Sequence, residues 1–196
     1  MRQLHMAESE KERFVTYYFN GLREDPFPSE ERVIIPSPRV TTYDKKPEMS
    51  ARELTQRLVS EITSNSYDFI VINYANPDMV AHTGNIKATI KACEVIDECI
   101  GLLADTVIPL GGILVITADH GNAEEMVNAT TQVPDTEHNA NPVLFIAAST
   151  QLQLSRQVPQ GILADVAPPI LSLLQLPTPV TMIGRNLLSD LPAFGR

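Results

Sequence analysis

The chain has no tryptophan, only two cysteines and only nine glycines among its 196 residues. Cys93 and Cys99 fall six residues apart in one stretch of helical periodicity, hence on different faces, which is poor geometry for a disulfide. They read as two half-buried thiols in a reducing cytosol. Long apolar runs are also missing. The strongest, Gly111 to Ala118, is far shorter than the roughly 18 residues a membrane span needs. The opening Met1-Arg-Gln-Leu-His-Met-Ala-Glu8 has no apolar core, so no secretory signal is visible. These readings predict a cytoplasmic protein that does not engage a membrane. Positive charge is scarce: 15 Lys and Arg against 24 Asp and Glu give a net charge of −9. That balance argues against binding the phosphate backbone of a nucleic acid. It does not argue against a small anionic substrate, because a metal ion can supply local positive charge.

What is present suits a globular chain of one domain: 43% of residues are hydrophobic and 20% charged. Phe14 to Asn20 is β-branched and aromatic and ends at Asn20-Gly21, so it reads as a strand closed by a turn. Leu22 to Pro38 reads as a surface loop with one edge strand at Val33-Ile-Ile35. Ser50-Ala-Arg-Glu53 is a capping-box pattern, and Leu54, Leu58 and Ile62 continue it, which predicts a helix from about Ala51 to Ser64. Asp68 to Tyr74 is a continuous apolar run, as in a strand covered on both faces. Ile86 to Val107 carries the spacing of a long amphipathic helix, broken at Gly111-Gly112. Ile113–Thr117 and Pro142–Ala147 read as further buried strands. Asp165 can cap a last helix with Pro168 in its first turn. Together these predict an α/β fold with a mostly parallel sheet, whose ligands bind beyond the carboxyl ends of the strands.

Three of the four histidines, His82, His120 and His138, fall just after predicted strands or in the loop leading to one. In Asn73-Tyr-Ala-Asn-Pro-Asp78-Met-Val-Ala-His82, Pro77 suits a helix start, so Asp78 and His82 lie four apart on one face. Alone, the pair fits a helix-start carboxylate beside a chance surface histidine as well as a cation grip. Asp119-His120-Gly121 follows the next strand, and alone also fits an Asx-type turn. His138, in Thr136-Glu-His138, precedes the last strand and alone fits a solvated loop histidine. Together they place two carboxylates and three histidines at one sheet edge. Such mixed nitrogen and oxygen donors suit Mn²⁺ or Zn²⁺ better than the oxygen-only preference of Mg²⁺ or Ca²⁺. Five ligands exceed one tetrahedral site and suit a pair of metals, a usual device for phosphoryl chemistry. His5 reads as a solvated terminal residue.

The runs Asn-Tyr-Ala-Asn-Pro-Asp78-Met-Val-Ala-His82-Thr-Gly, Thr-Ala-Asp119-His120-Gly-Asn-Ala-Glu and Thr-Glu-His138 resemble the cofactor-independent (2,3-bisphosphoglycerate-independent) phosphoglycerate mutase family, within the alkaline phosphatase superfamily. Glu8-Ser-Glu-Lys11, Pro36 to Asp44, Lys46 to Ser50 and Leu163 to Pro168 also match, so the resemblance covers most of the chain. It implies an alkaline-phosphatase-like sheet flanked by helices and an isomerase that interconverts 3- and 2-phosphoglycerate through a phosphoserine. By matching position, Asp78, His82 and His138 would hold one manganese ion, and Asp119 and His120 would help hold a second. Zn²⁺ or Mg²⁺ are the alternative metals. Lys11 would contact the substrate phosphate; on composition alone it reads as a solvated lysine in a charged run.

The resemblance is confined to the C-terminal part of the family's phosphatase domain, so residues 1–196 are expected to be one portion of a metal-binding domain. The family's N-terminal strand, its serine nucleophile and its transferase domain have no counterpart here. None of the serines, Ser155 included, stands in the matching context. The chain alone is therefore expected to be inactive and to need that missing part as a partner. Alternative readings are another phosphotransferase or hydrolase of the superfamily, a metal-binding subunit without catalysis, and a remnant of the fold with no metal affinity.

Overall fold

The computed structural model describes residues 1–64, 66–128, 130–152 and 158–189, and Ser155 lies outside them. The chain packs as two compact units. Met1–Thr106 with His120–Asn141 forms the first, and Val107–Asp119 with Pro142–Arg196 the second.

The first unit is built on a strand that the pattern of apolar residues does not reveal. β1 (Gln3–Glu8) lies at the centre of a three-stranded sheet, between β2 (Glu30–Ile35) and β3 (Phe69–Asn73). Both pairings are parallel: Gln3 faces Glu30 and Phe69, and Ala7 faces Ile34 and Asn73. Leu4, Met6 and Ala7 are wholly buried, but so are His5 and Glu8. His5 is therefore not a solvated terminal residue. Its Nδ1 donates to the Val15 carbonyl at 2.6 Å, and its ring meets Phe19 edge-on. Burying polar side chains requires such partners.

Phe14 to Asn20 is not a strand. Glu12–Val15 forms α1, one turn of helix, and Thr16 to Gly21 continue in turns that end with Gly21 and Leu22 at φ of 66° and 69°. The aromatic residues of this segment cover the sheet instead of joining it: Phe19 stacks on Phe69 of β3. α2 (Ala51–Ser64) keeps its expected bounds, and both α1 and α2 pack on β1. Its capping box does not form as expected. Ser50 Oγ donates to the Pro36 carbonyl at 2.8 Å, and the Ser50 N–H donates to the buried Glu8 carboxylate at 2.9 Å. α3 (Asn76–Ala81) starts on Pro77, and α4 (Ile86–Val107) matches its predicted span. Met49, Ala75, Val80, Ala88 and Ala92 form a core cluster that ties α3 to α4. Cys93 is exposed and Cys99 buried, both as free thiols.

Because β1 and β3 run in the same direction, their carboxyl ends share one sheet edge. The turn Ser9–Lys11 leaves β1 there, and α3, which carries Asp78, follows β3 at the same edge.

In the second unit β4 (Leu114–Thr117) pairs with β5 (Phe145–Ala148) in antiparallel register, Leu114 facing Ala148 and Thr117 facing Phe145. The parallel arrangement thus holds for β1, β2 and β3, while β4 and β5 make a separate two-stranded sheet. Neither is fully buried. After a turn at Leu163–Asp165, α5 (Ala167–Leu173) carries Pro168 at its start. Asp165 does not cap α5 directly. Its buried carboxylate accepts the N–H groups of Ile162 at 3.0 Å and Arg185 at 2.6 Å. Among the described residues no helix is long and apolar enough to cross a membrane.

Candidate metal centre

Asp78, His82 and His138 come together in the first unit, and one donor atom from each lies within 4.8 Å of the others. α3 supplies two of them. Pro77 fixes the first turn, so Asp78 and His82 project from one face four residues apart, with His82 Nε2 3.1 Å from Asp78 Oδ1. His138 arrives from the loop 120–141. There Gly121 and Asn139 exchange backbone hydrogen bonds of 2.9 and 3.3 Å, which join the His120 and His138 segments. A Cβ at Gly121 would meet the ends of the Asn139 and Glu124 side chains, which would have to shift. His138 Nε2 ends 3.0 Å from Asp78 Oδ1 and 3.1 Å from His82 Nε2.

The hydrogen-bond partners decide what these atoms offer. His82 Nδ1 lies 2.7 Å from the Thr136 carbonyl. A carbonyl only accepts, so Nδ1 carries the proton and a neutral His82 presents a bare lone pair at Nε2. Two imidazole nitrogens and a carboxylate oxygen converge there, the donor types that can bind a cation. Donors in adjacent positions around a cation with bonds of about 2.1 Å stand about 3 Å apart, so the spacing fits a first-row divalent ion. His82 and His138 are partly open to solvent, with side chains 38% and 47% exposed.

Lys11 is not a solvated lysine. It is buried at the end of the turn after β1, and its Nζ donates to Asp78 Oδ2 at 2.6 Å while lying 4.5 Å from the centre of the Phe14 ring. Burial pushes the Asp78 carboxyl up, but the Lys11 hydrogen bond and charge, with His82 and Asn122, outweigh it and hold the group below the usual carboxylate range. Asp78 therefore stays ionised, as a metal ligand must.

His120 stacks on His138 with ring centres 3.7 Å apart. Asp119 is exposed two residues beyond β4 and belongs to the second unit, whereas the triad, His120 and Lys11 all belong to the first. Sequence reasoning missed three contributors. The Thr136 carbonyl orients His82, Phe14 covers Lys11, and Asn122 donates from Nδ2 to Asp78 Oδ1 at 3.2 Å. Asn122 and Thr136 carried a signal, both standing in runs already marked as sites, whereas Phe14 did not.

These features are those of a site that could hold a metal ion. A model of the metalloenzyme superfamily matches residues 1–178, and the chain belongs to that superfamily. Within it the chain is similar to proteins named 2,3-bisphosphoglycerate-independent phosphoglycerate mutase. That of Chloroflexus aggregans is 50% identical over 191 residues, covering 96% of this chain and 35% of the relative. That of Thermomicrobium roseum is 50% identical over 199 residues, covering 100% and 38%. The structure is similar to a phosphoglycerate mutase of Leishmania mexicana crystallised at low cobalt concentration. The TM-score is 0.85 at 30% identity, over 94% of this chain and 37% of that one. The chain spans little more than a third of the length of the curated relatives it matches.

Proposed function

We propose that this chain is the metal-holding portion of an isomerase that interconverts 3-phosphoglycerate and 2-phosphoglycerate through a phosphoserine. The observation that carries the proposal is the convergence of Asp78, His82 and His138 on one point beside Lys11. Asp78, His82 and His138 would hold one Mn²⁺, and His120, stacked on His138, would contribute to a second. Bound there, the dications neutralise phosphate charge and lower the pKa of the attacking hydroxyl. Lys11 adds a fixed point charge and a donor for a phosphate oxygen. Thr136 keeps the His82 proton on Nδ1, leaving Nε2 to bind. The accepting serine comes from the length of the relatives that this chain does not span. The same missing length would shut out the water that hydrolyses a phosphoserine. A cytoplasmic location goes with this reading.

The test is a mutase assay of the 196-residue chain with Mn²⁺, alone and co-expressed with the remaining segment of a relative. The expected result is no turnover alone and recovered turnover together. Turnover by the chain alone would show that no outside serine is needed. Metal binding without recovery would favour a non-catalytic subunit. Recovery on other phosphate or sulfate esters but not phosphoglycerate would favour another branch of the superfamily.

A further inference from the structure

Asn122 has a place at the centre that packing does not explain. It is 4% exposed, and its side-chain Oδ1 is buried without a hydrogen-bond partner. A fold that needed only to fill this space would use an apolar residue, since an unsatisfied buried amide is unfavourable. Its Nδ2 instead reaches Asp78 Oδ1, the oxygen that also faces His82 and His138. Lys11 takes the other oxygen, Oδ2.

The rest of the loop holds Asn122 in that position. Its N–H donates to Glu124 Oε2 at 2.9 Å, and its carbonyl accepts the Glu125 N–H at 3.0 Å. Burial pushes the Glu124 carboxyl up, but hydrogen bonds from the Asn141 side chain, the Glu124 and Asn122 N–H groups and Asn139 bring it down to about 2. Glu124 therefore stays anionic and keeps its grip on the Asn122 backbone. One residue earlier, the Gly121–Asn139 pairing ties the same turn to the His138 segment.

We infer that Asn122 is a positioning residue of the metal site, fixing Asp78 Oδ1 toward the cation through its amide N–H. This inference rests on the metal-site reading above. Ligating carboxylates are set by such outer hydrogen bonds, whose loss lowers metal affinity by about 10–100-fold.

The test measures Mn²⁺ binding to the 196-residue chain by calorimetry, and the visible spectrum of bound Co²⁺, for wild type, Asn122→Ala and Asn122→Leu. Leucine branches at Cγ as asparagine does and removes the donor, so it is read if alanine fails to fold. The expected result is Mn²⁺ affinity about 10–100-fold weaker in the folded Asn122→Leu variant, with shifted Co²⁺ bands at saturation. A folded variant that binds Mn²⁺ within about twofold of wild type overturns the inference and leaves the metal site standing. Weaker binding with unchanged Co²⁺ bands also overturns it, because a purely structural role leaves the coordination of the folded fraction intact. A wild-type chain that binds no Mn²⁺ overturns the inference and the metal-site reading together.

Discussion

Lys11 and Asp78 face each other across the sheet edge, Nζ 2.6 Å from Oδ2, because the parallel strands β1 and β3 deliver their following segments to the same side. Positions 67 apart in the chain are thereby joined by one ion pair with side chains only 10% and 16% exposed. A pair this sheltered is held by desolvated hydrogen bonding, and breaking it leaves a charge without its partner.

Lys11→Met should expose that dependence. Methionine keeps the apolar stem against Phe14 and removes the charge. Burial of Asp78 is then opposed only by His82 and Asn122, so its carboxyl moves upward, a change that carboxyl NMR reads directly. A carboxylate held below its unfolded value contributes stability above that value and loses it as pH falls through the folded one. The variant should therefore be less stable near neutral pH by about 2 kcal/mol. The gap from wild type should close as pH falls through the carboxylate range. Equal urea midpoints near neutral pH would mean that the pair is not holding Asp78.

Metal loading should raise the melting temperature through the same carboxylate. An ion bound only by the folded chain stabilises it by about 2.7 kcal/mol at a hundredfold excess over Kd. For a chain of this size that is a rise of about 5–10 °C. His138→Ala removes one of the three donors from a partly exposed loop, so its metal-free melting should stay close to wild type. Its response to the same Mn²⁺ concentration should vanish. A variant that keeps the full shift would show that the ion binds elsewhere.

The sequence disclosed the site better than the sheet. Asp78 and His82 were legible because Pro77 sets a helix start and the four-residue spacing does the rest. His138 joined them only through the resemblance and the guess that strand ends converge, since its loop carries no periodicity. α2 and α4 were legible from apolar spacing. β1 was not, because a central parallel strand is expected to be apolar throughout, and Gln3–Glu8 buries His5 and Glu8 instead. Phe14 to Asn20 misled for the opposite reason. Its aromatic, β-branched composition suits burial against a sheet as well as membership of one, and local propensity cannot separate the two. Ser50 shows a third limit. The spelling of its capping box was present, but tertiary partners at Pro36 and Glu8 took the hydrogen bonds.

The burial of His5 predicts a pH dependence of its own. Desolvation is the largest influence and lowers its pKa. The Val15 carbonyl and Glu30, 3.8 Å from Nδ1, raise it, while Arg32 lowers it, and the net direction is down. The folded chain therefore favours the neutral ring, whose Nδ1–H already serves Val15. A histidine with a depressed folded pKa contributes stability that is complete above its unfolded value of about 6.5 and is lost as pH falls toward the folded value, because the unfolded chain takes up the proton first. Urea midpoints measured from pH 8 downward should hold steady and then fall below about pH 6.5. His5→Gln keeps a donor for Val15 and cannot titrate, so its profile should be flatter over that window even if its midpoint at pH 8 is lower. Parallel profiles for the two proteins would assign the acid sensitivity to another group.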